Sequence, residues 1–171
     1  MSVTYNLQLT AGLAITWTHT AAGGTLANTP SDPLNEIMSL TLDNGTALNQ
    51  CNIGWASTRS LASTTETLNF SNSSLVDAFG VGLAFAKIKF LAIWNQNTTA
   101  GQTLVIGNAT NPLALFSAGT ATYTIGPNGR FIIAEPSLAG ITVTGSSADS
   151  LKLNSGSATV TYTIIVAGTN A

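Results

Sequence analysis

Ala158-Thr-Val-Thr-Tyr-Thr-Ile-Ile-Val-Ala167 decides the fold of this chain. In an extended backbone Val160, Tyr162, Ile164 and Val166 fall on one side, and Thr159, Thr161 and Thr163 on the other. A helix, with 3.6 residues per turn, would scatter those four apolar side chains around its circumference. Only a period of two gathers them. Most of the segment is β-branched or aromatic, which suits a pleated, half-buried surface. It predicts a strand with one face in a core.

The same pattern recurs upstream. Residues 141–144 and 150–153 read as short strands, the first bounded by Gly140 and Gly145. Residues 120–125 alternate into Gly126-Pro-Asn-Gly129, a strong turn signal, and residues 130–134 return. This predicts a hairpin. Residues 83–94 predict a long central strand whose apolar face is Ala84, Ala86, Ile88, Phe90, Ala92 and Trp94. A polar turn over 95–101 leads to a strand at 103–106. Residues 37–42 alternate and meet the turn Asp43-Asn-Gly45. Residues 3–9 and 13–17 predict an N-terminal strand pair, and residues 21–33 a loop. Helix signal is confined to residues 74–79, where one turn capped by Ser73 or Ser74 would be stopped by Gly80 and Gly82. Roughly ten short strands separated by turns at ~8–12-residue intervals imply a sandwich or barrel. Parallel pairing needs crossover helices, and the sequence supplies none. The expected architecture is all-β: one antiparallel β-sandwich over residues 1–171, jelly-roll-like, with little or no helix.

Composition narrows the function. Only 7% of the residues are charged, against roughly 25% in an ordinary soluble domain. Thr, Ser, Asn, Ala and Gly take the vacated positions. Such a surface hydrogen-bonds water but exerts almost no field, and copies repel one another weakly. It suits a chain packed against other chains. The net charge of −2, with Arg59, Lys87, Lys89, Arg130 and Lys152 as the cations, argues against nucleic acid, which requires clustered positive charge. The strongly apolar stretch 79–94 is interrupted by Lys87 and Lys89 and is too short to span a bilayer, so no membrane partner is expected. Residues 1–6 lack the basic and apolar regions of a secretion signal, so synthesis in the cytoplasm is expected. Cys51 is the single cysteine, which excludes an intrachain disulfide and reads as a small buried apolar residue.

Chemistry-bearing constellations are sparse. His19 is the one histidine and ends a predicted strand, so neither a serine triad nor a zinc site can be assembled around it. Gly23-Gly24 has no lysine and no following helix, which excludes a phosphate loop. The carboxylates Asp32, Glu36, Asp43, Glu66, Asp77, Glu135 and Asp149 are scattered and mostly near turns, where they satisfy local N–H groups. Calcium on Asp32, Glu36 or Asp43 is the one metal reading that loop oxygens allow. Trp17, Trp55 and Trp94 read as core residues, with sugar stacking as the alternative. The sequence thus assigns no catalytic, cofactor-binding or metal-binding residue, and no cofactor.

Order and turn chemistry carry a resemblance over residues 75–168. The matching segments are Leu75-Val-Asp-Ala-Phe-Gly80, Lys89-Phe-Leu-Ala-Ile-Trp-Asn95, Leu104-Val-Ile-Gly107, Asn111-Pro112 and Gly126-Pro-Asn-Gly129. They continue with Gly140-Ile-Thr-Val-Thr144, Ala148-Asp-Ser-Leu-Lys-Leu153 and Tyr162-Thr-Ile-Ile-Val-Ala-Gly168. In this order they resemble small β-rich virion proteins of tailed bacteriophages, of the capsid decoration or minor structural type. The resemblance implies a non-enzymatic protein of the virion, assembled in the host cytoplasm. It would bind the major capsid protein or another virion protein and its own copies, with a trimer favoured. No catalytic residues come with it. Residues 1–10 are a candidate arm or edge strand for a neighbour's sheet; their deletion is expected to abolish assembly and leave the sandwich folded. The competing expectation is a carbohydrate-binding, lectin-like sandwich.

Overall fold

The computed structural model describes residues 7–14, 35–77, 79–116 and 119–170. Among them run β1 (Leu7–Ala14), β2 (Asn35–Asn44), β3 (Gln50–Cys51), β4 (Ile53–Ala62), β5 (Thr65–Asn69), β6 (Leu75–Val76) and β7 (Gly82–Leu83). The chain continues through β8 (Lys87–Asn95), β9 (Leu104–Gly107), β10 (Thr122–Ile125), β11 (Arg130–Ala134), β12 (Ile141–Thr142), β13 (Ser150–Asn154) and β14 (Thr159–Thr169). No helix occurs among the described residues.

Two sheets make the body. One has the order β11-β8-β14-β4, with β12 also on β8; the other has the order β10-β9-β13-β5. The antiparallel pairs β4·β14, β5·β13, β8·β11 and β9·β10 nest inside one another along the chain. The chain is therefore one long hairpin rolled so that its arms alternate between sheets, the jelly-roll winding. Between the sheets lie Ile53, Trp55, Leu61, Ile88, Leu91, Ile93, Val160, Tyr162, Ile164 and Val166 from one side. Leu68, Leu104, Ile106, Ile125, Leu151 and Leu153 come from the other. The four apolar residues that identified β14 are all buried here. Each such side chain contributes about 1.5–3 kcal/mol on burial. That the sandwich closes is thus a consequence of period-two patterning in every long strand.

A third sheet, β1-β2-β3, lies apart from the sandwich sheets. β1 pairs antiparallel with β2 along its whole length, from Leu7↔Leu42 to Ala14↔Asn35. Leu7–Ala14 thus run as one strand, paired with residues 35–42, rather than turning back at Gly12; residues 3–6 and 15–17 of the expected pair lie outside the described residues. Of the candidate arm, residues 7–10 lie in β1, the outer strand of this sheet; residues 1–6 lie outside the described residues. Leu42 packs with Cys51, Phe90 and Ala167, Leu40 and Ala92 beside them, in a small second core. This core sits on the outer face of the β8–β14 sheet.

β8 shows why the even-numbered apolar face was the wrong choice. Its register against β14 slips between Ala167 and Gly168: Ala167 faces Phe90, but Gly168 faces Ile88. Lys89 is the extra residue of a β-bulge, and a bulge switches the faces. Ile88 points into the sandwich, and beyond the bulge Leu91 and Ile93 do. Phe90, Ala92 and Trp94 therefore turn outward. Gly168 is required here, since a Cβ would collide with the Lys87 carbonyl oxygen. Lys89 is itself buried, its ammonium donating to the Ser137 carbonyl while its own carbonyl accepts from Glu135 N–H at 2.8 Å.

Gly126-Pro-Asn-Gly129 forms its turn, with Gly129 N–H donating to Gly126 O at 2.9 Å and Asn128 at φ 55°. Pro at the second position and positive φ at the third mark a type II turn. Yet the strands it joins do not pair: β10 belongs to one sheet and β11 to the other. The expected hairpin is a corner. Buried Asn95, at the end of β8, anchors it, its side-chain amide donating to Gln102 O, Ile125 O and Gly126 O at 2.7, 3.2 and 3.0 Å.

Candidate functional site

Pairing across the larger sheet sets its outer face in rows. Arg130, Trp94, Thr163 and Thr58 align in one; Ile132, Ala92, Ile165 and Ala56 in the next; Ala134, Phe90, Ala167 and Gly54 in a third. The third row lies under β2 and β3 through Leu42 and Cys51. In the second, Ala92 packs beside the small second core, while Ile132 is 49% exposed and Ile165 37%. A shallow depression of about 180 Å³ between Trp94, Arg130, Ile132, Thr163 and Ile165 follows it. Sandwich strands normally alternate apolar-in with polar-out. Here the second and third outward rows are apolar as well.

Ile165 also borders a larger cleft, about 560 Å³, that runs along the edge strand β4. Its walls include Ile53, Trp55, Ala56 and Arg59 from β4, Val166 and Ala167 from β14, and Leu75, Val76, Asp77 and Phe79 from the β6–β7 hairpin. The apolar surface is therefore continuous from Ile132 through Ile165 to Phe79. Contiguous apolar surface on a soluble domain marks an interaction site.

The rim of this cleft is built from the Asp77 region. Residues 74–79 were expected to hold a helical turn; β6 and β7 instead pair, Leu75 opposite Leu83. Asp77 closes the hairpin. Its Oδ1 accepts from Phe79 N–H at 2.8 Å and Val81 N–H at 2.9 Å, Asp77 N–H donates to Val81 O, and Gly80 N–H donates to Asp77 O. Asp at the first position and Gly at the fourth is the type I turn pattern, a signal that competes with a helix start and here wins. The braced tip presents Phe79, 78% exposed, with Val76 and Val81 also exposed.

At the far end of the cleft Arg59 pairs with Glu66 of β5 and lies 5.5 Å over the Trp55 ring. The other Glu66 oxygen accepts from Tyr162 O–H at 2.7 Å. The cluster ties the edge strands of the two sheets together. Burial pushes the Tyr162 phenol up to about 12, against a smaller opposing effect of Arg59. Every polar group in the cluster has a partner inside the fold, so its chemistry is that of a clasp.

The remaining sequence candidates separate. Trp17, His19 and Asp32 lie outside the described residues. Glu36 and Asp43 are in β2. Trp55 is buried, 7% exposed. Trp94 is not a core residue: it faces outward, Arg130 stacks 4.8 Å from its ring centre, and its Nε1 donates to Asn128 Oδ1 at 3.1 Å. Asp149 is buried among Ser150 Oγ at 2.6 Å, Ser146 N–H at 2.8 Å and Ser71 Oγ at 3.1 Å. These bonds hold its carboxyl below the usual range despite its burial. Cys51 is buried. Among the described residues no three His, Cys, Asp or Glu side chains converge as metal ligands, and no helix is long and apolar enough to cross a membrane. Sequence reasoning missed Phe79, Ile132 and Ile165. The available signal was Ile165 itself, an apolar residue on the otherwise threonine-bearing face of β14.

No family model matches the chain, and no curated protein or solved structure matches it.

Proposed function

We propose that this chain is a non-enzymatic structural module of a virion, a capsid decoration or minor structural protein that binds the particle and its own copies. The observation that carries the reading is the apolar row Ile132–Ala92–Ile165–Ala56, with Ile132, Ile165 and Ala56 exposed, on a chain with 7% charged residues. A flat, rigid, weakly charged sheet face buries well against another protein surface and selects little else. The jelly-roll winding and the resemblance of residues 75–168 to tailed-phage virion proteins support it. The partner implied is the major capsid protein or a neighbouring virion protein.

The test is co-sedimentation with purified shells of the source phage. Wild type is expected to saturate a fixed number of sites, and the double variant Ile132→Asp/Ile165→Asp to lose at least roughly a hundredfold in affinity. Equal binding by the two proteins would overturn the assignment of this face.

A second reading, a sugar-binding module, is favoured by one feature: the exposed Phe79 ring beside Asp77 at the cleft. Aromatic rings can stack on sugars, and carboxylates accept from hydroxyls. Trp55 does not help it, since its ring is buried under Arg59. A glycan array on wild type and Phe79→Ala separates the two readings; a Phe79-dependent glycan signal would favour the second.

A further inference from the structure

We infer that Asn128 is a site of spontaneous self-modification: the backbone nitrogen of Gly129 attacks its side-chain amide, and the folded chain comes to carry aspartate and isoaspartate there. The inference is independent of the proposed function. Asparagine followed by glycine is open to this reaction because no side chain on the glycine shields its nitrogen. The sequence holds two such pairs, Asn44-Gly45 and Asn128-Gly129. Both asparagines are exposed, so water reaches either. Their hydrogen bonds separate them.

Asn128 Oδ1 accepts from Trp94 Nε1–H at 3.1 Å. When a nitrogen adds to Cγ, negative charge gathers on Oδ1, and a donor already aimed at that oxygen stabilises it as an oxyanion hole does. The Arg130 guanidinium stacks 4.8 Å from the Trp94 ring centre, and its Nη1 donates to Asn128 O at 3.4 Å. That carbonyl belongs to the same peptide unit as the Gly129 N–H. Drawing electrons toward the carbonyl makes the N–H more acidic, and the nitrogen attacks only once its proton has gone. One bond opposes the attack: Gly129 N–H donates to Gly126 O at 2.9 Å and must open first. In a turn at the surface such opening costs little. At Asn44 the equivalent bond, Gly45 N–H to Cys51 O at 3.0 Å, ends on a buried residue where β2 pairs with β3. The donors that flank Asn128 have no counterpart there among the described residues.

The reaction converts asparagine and water into aspartate and ammonia. The Gly129 nitrogen gives its proton to hydroxide and bonds Cγ. The Cγ–Nδ2 bond breaks, and Nδ2 takes a proton from water and leaves as ammonia. Water then opens the cyclic imide. Addition at Cγ gives aspartate; addition at the main-chain carbonyl gives isoaspartate, which lengthens the turn by a methylene. Either product sets a carboxylate beside Arg130.

The test incubates the full chain, folded and unfolded in urea, in mildly alkaline buffer, and maps its peptides by mass spectrometry. Isoaspartate is identified by its enzymatic methylation. In the folded chain Asn128 is expected to convert roughly tenfold faster than Asn44, and in urea the two at similar rates. Trp94→Phe keeps a ring and removes the donor; it is expected to slow Asn128 roughly tenfold in the folded chain and not in urea. Arg130→Gln is expected to slow it independently. Both positions are exposed, and circular dichroism checks that the variants fold. An Asn128 that stays intact in the folded chain while converting in urea would overturn the proposal. So would folded Trp94→Phe and Arg130→Gln proteins that both convert at the wild-type rate.

Discussion

At the scale of single residues, polar side chains inside the sandwich do more than fill space. Asn95 saturates three carbonyls at the corner where the chain crosses between sheets, and its Oδ1 accepts from Asn97 N–H at 3.1 Å. Asn95→Ala strands those groups in a dry site, and a loss of about 2–3 kcal/mol is expected by urea unfolding with an unchanged m-value. A loss under about 0.5 kcal/mol, the range of a surface change, would show that the corner holds without it. Among the described residues, three buried ionisable groups with shifted pKa values shape the pH profile. Asp149 is held below its ordinary 3.8, so its contribution is present above that value and is lost as pH falls through its folded value. Lys89 is lowered from 10.5, chiefly by burial and further by Lys87, with Glu135 opposing. The unfolded chain then binds that proton more readily, so stability rises with pH from the lowered value up to 10.5. Tyr162 is raised from 10.0 to about 12, so the folded chain keeps its proton longer and stability falls between those values. Thermal midpoints are therefore expected to climb toward pH 10 and drop beyond it. Lys89→Met should remove the climb and Tyr162→Phe the drop; an unaltered alkaline climb in Lys89→Met would contradict the assignment.

At the scale of elements, strand identity was legible and strand partnership was not. β14, β13 and β12 follow directly from alternation, because each buries one face and polarity must switch every residue. Gly126-Pro-Asn-Gly129 was legible as a turn, since Pro127 and Asn128 suit its two dihedral demands. Which sheet received β11 was not, because a four-residue corner and a four-residue hairpin share that chemistry; Asn95, thirty residues upstream, decides it. The bulge at Lys89 reversed the faces of β8, and its cause lies across the sheet, in the close approach of Gly168 to the Lys87 carbonyl. Gly168→Ala is expected to cost on the order of 2–3 kcal/mol, read as a lowered unfolding midpoint; a neutral substitution would mean the bulge can open. The β6–β7 hairpin depends on one carboxylate. Asp77→Ala is expected to accelerate amide exchange at Phe79 and Val81 by roughly tenfold or more, with β8 unaffected.

At the scale of the whole molecule, two properties that could be separate accidents meet on one face. Charge is scarce throughout, and the larger sheet carries apolar rows on its outer side as well as its inner one. In its third outer row Phe90 and Ala167 are already covered by Leu42 and Cys51, which shows what this surface does when a strand is at hand. Ile132, Ile165 and Ala56 continue the same face and are exposed. The scarcity of charge was legible from composition. The proposed docking surface was not, since it requires β11, β8, β14 and β4 to lie side by side in register, and long-range pairing is not written in local patterning. The most direct measurement is hydroxyl-radical footprinting of side chains in the chain free and bound to shells. Strong protection of Trp94, Ile132 and Ile165, with Leu48 and Tyr123 unchanged, is the expected result. Undiminished labelling of Ile132 and Ile165 in the bound state, with protection elsewhere, would contradict the claim that this face is what the protein uses.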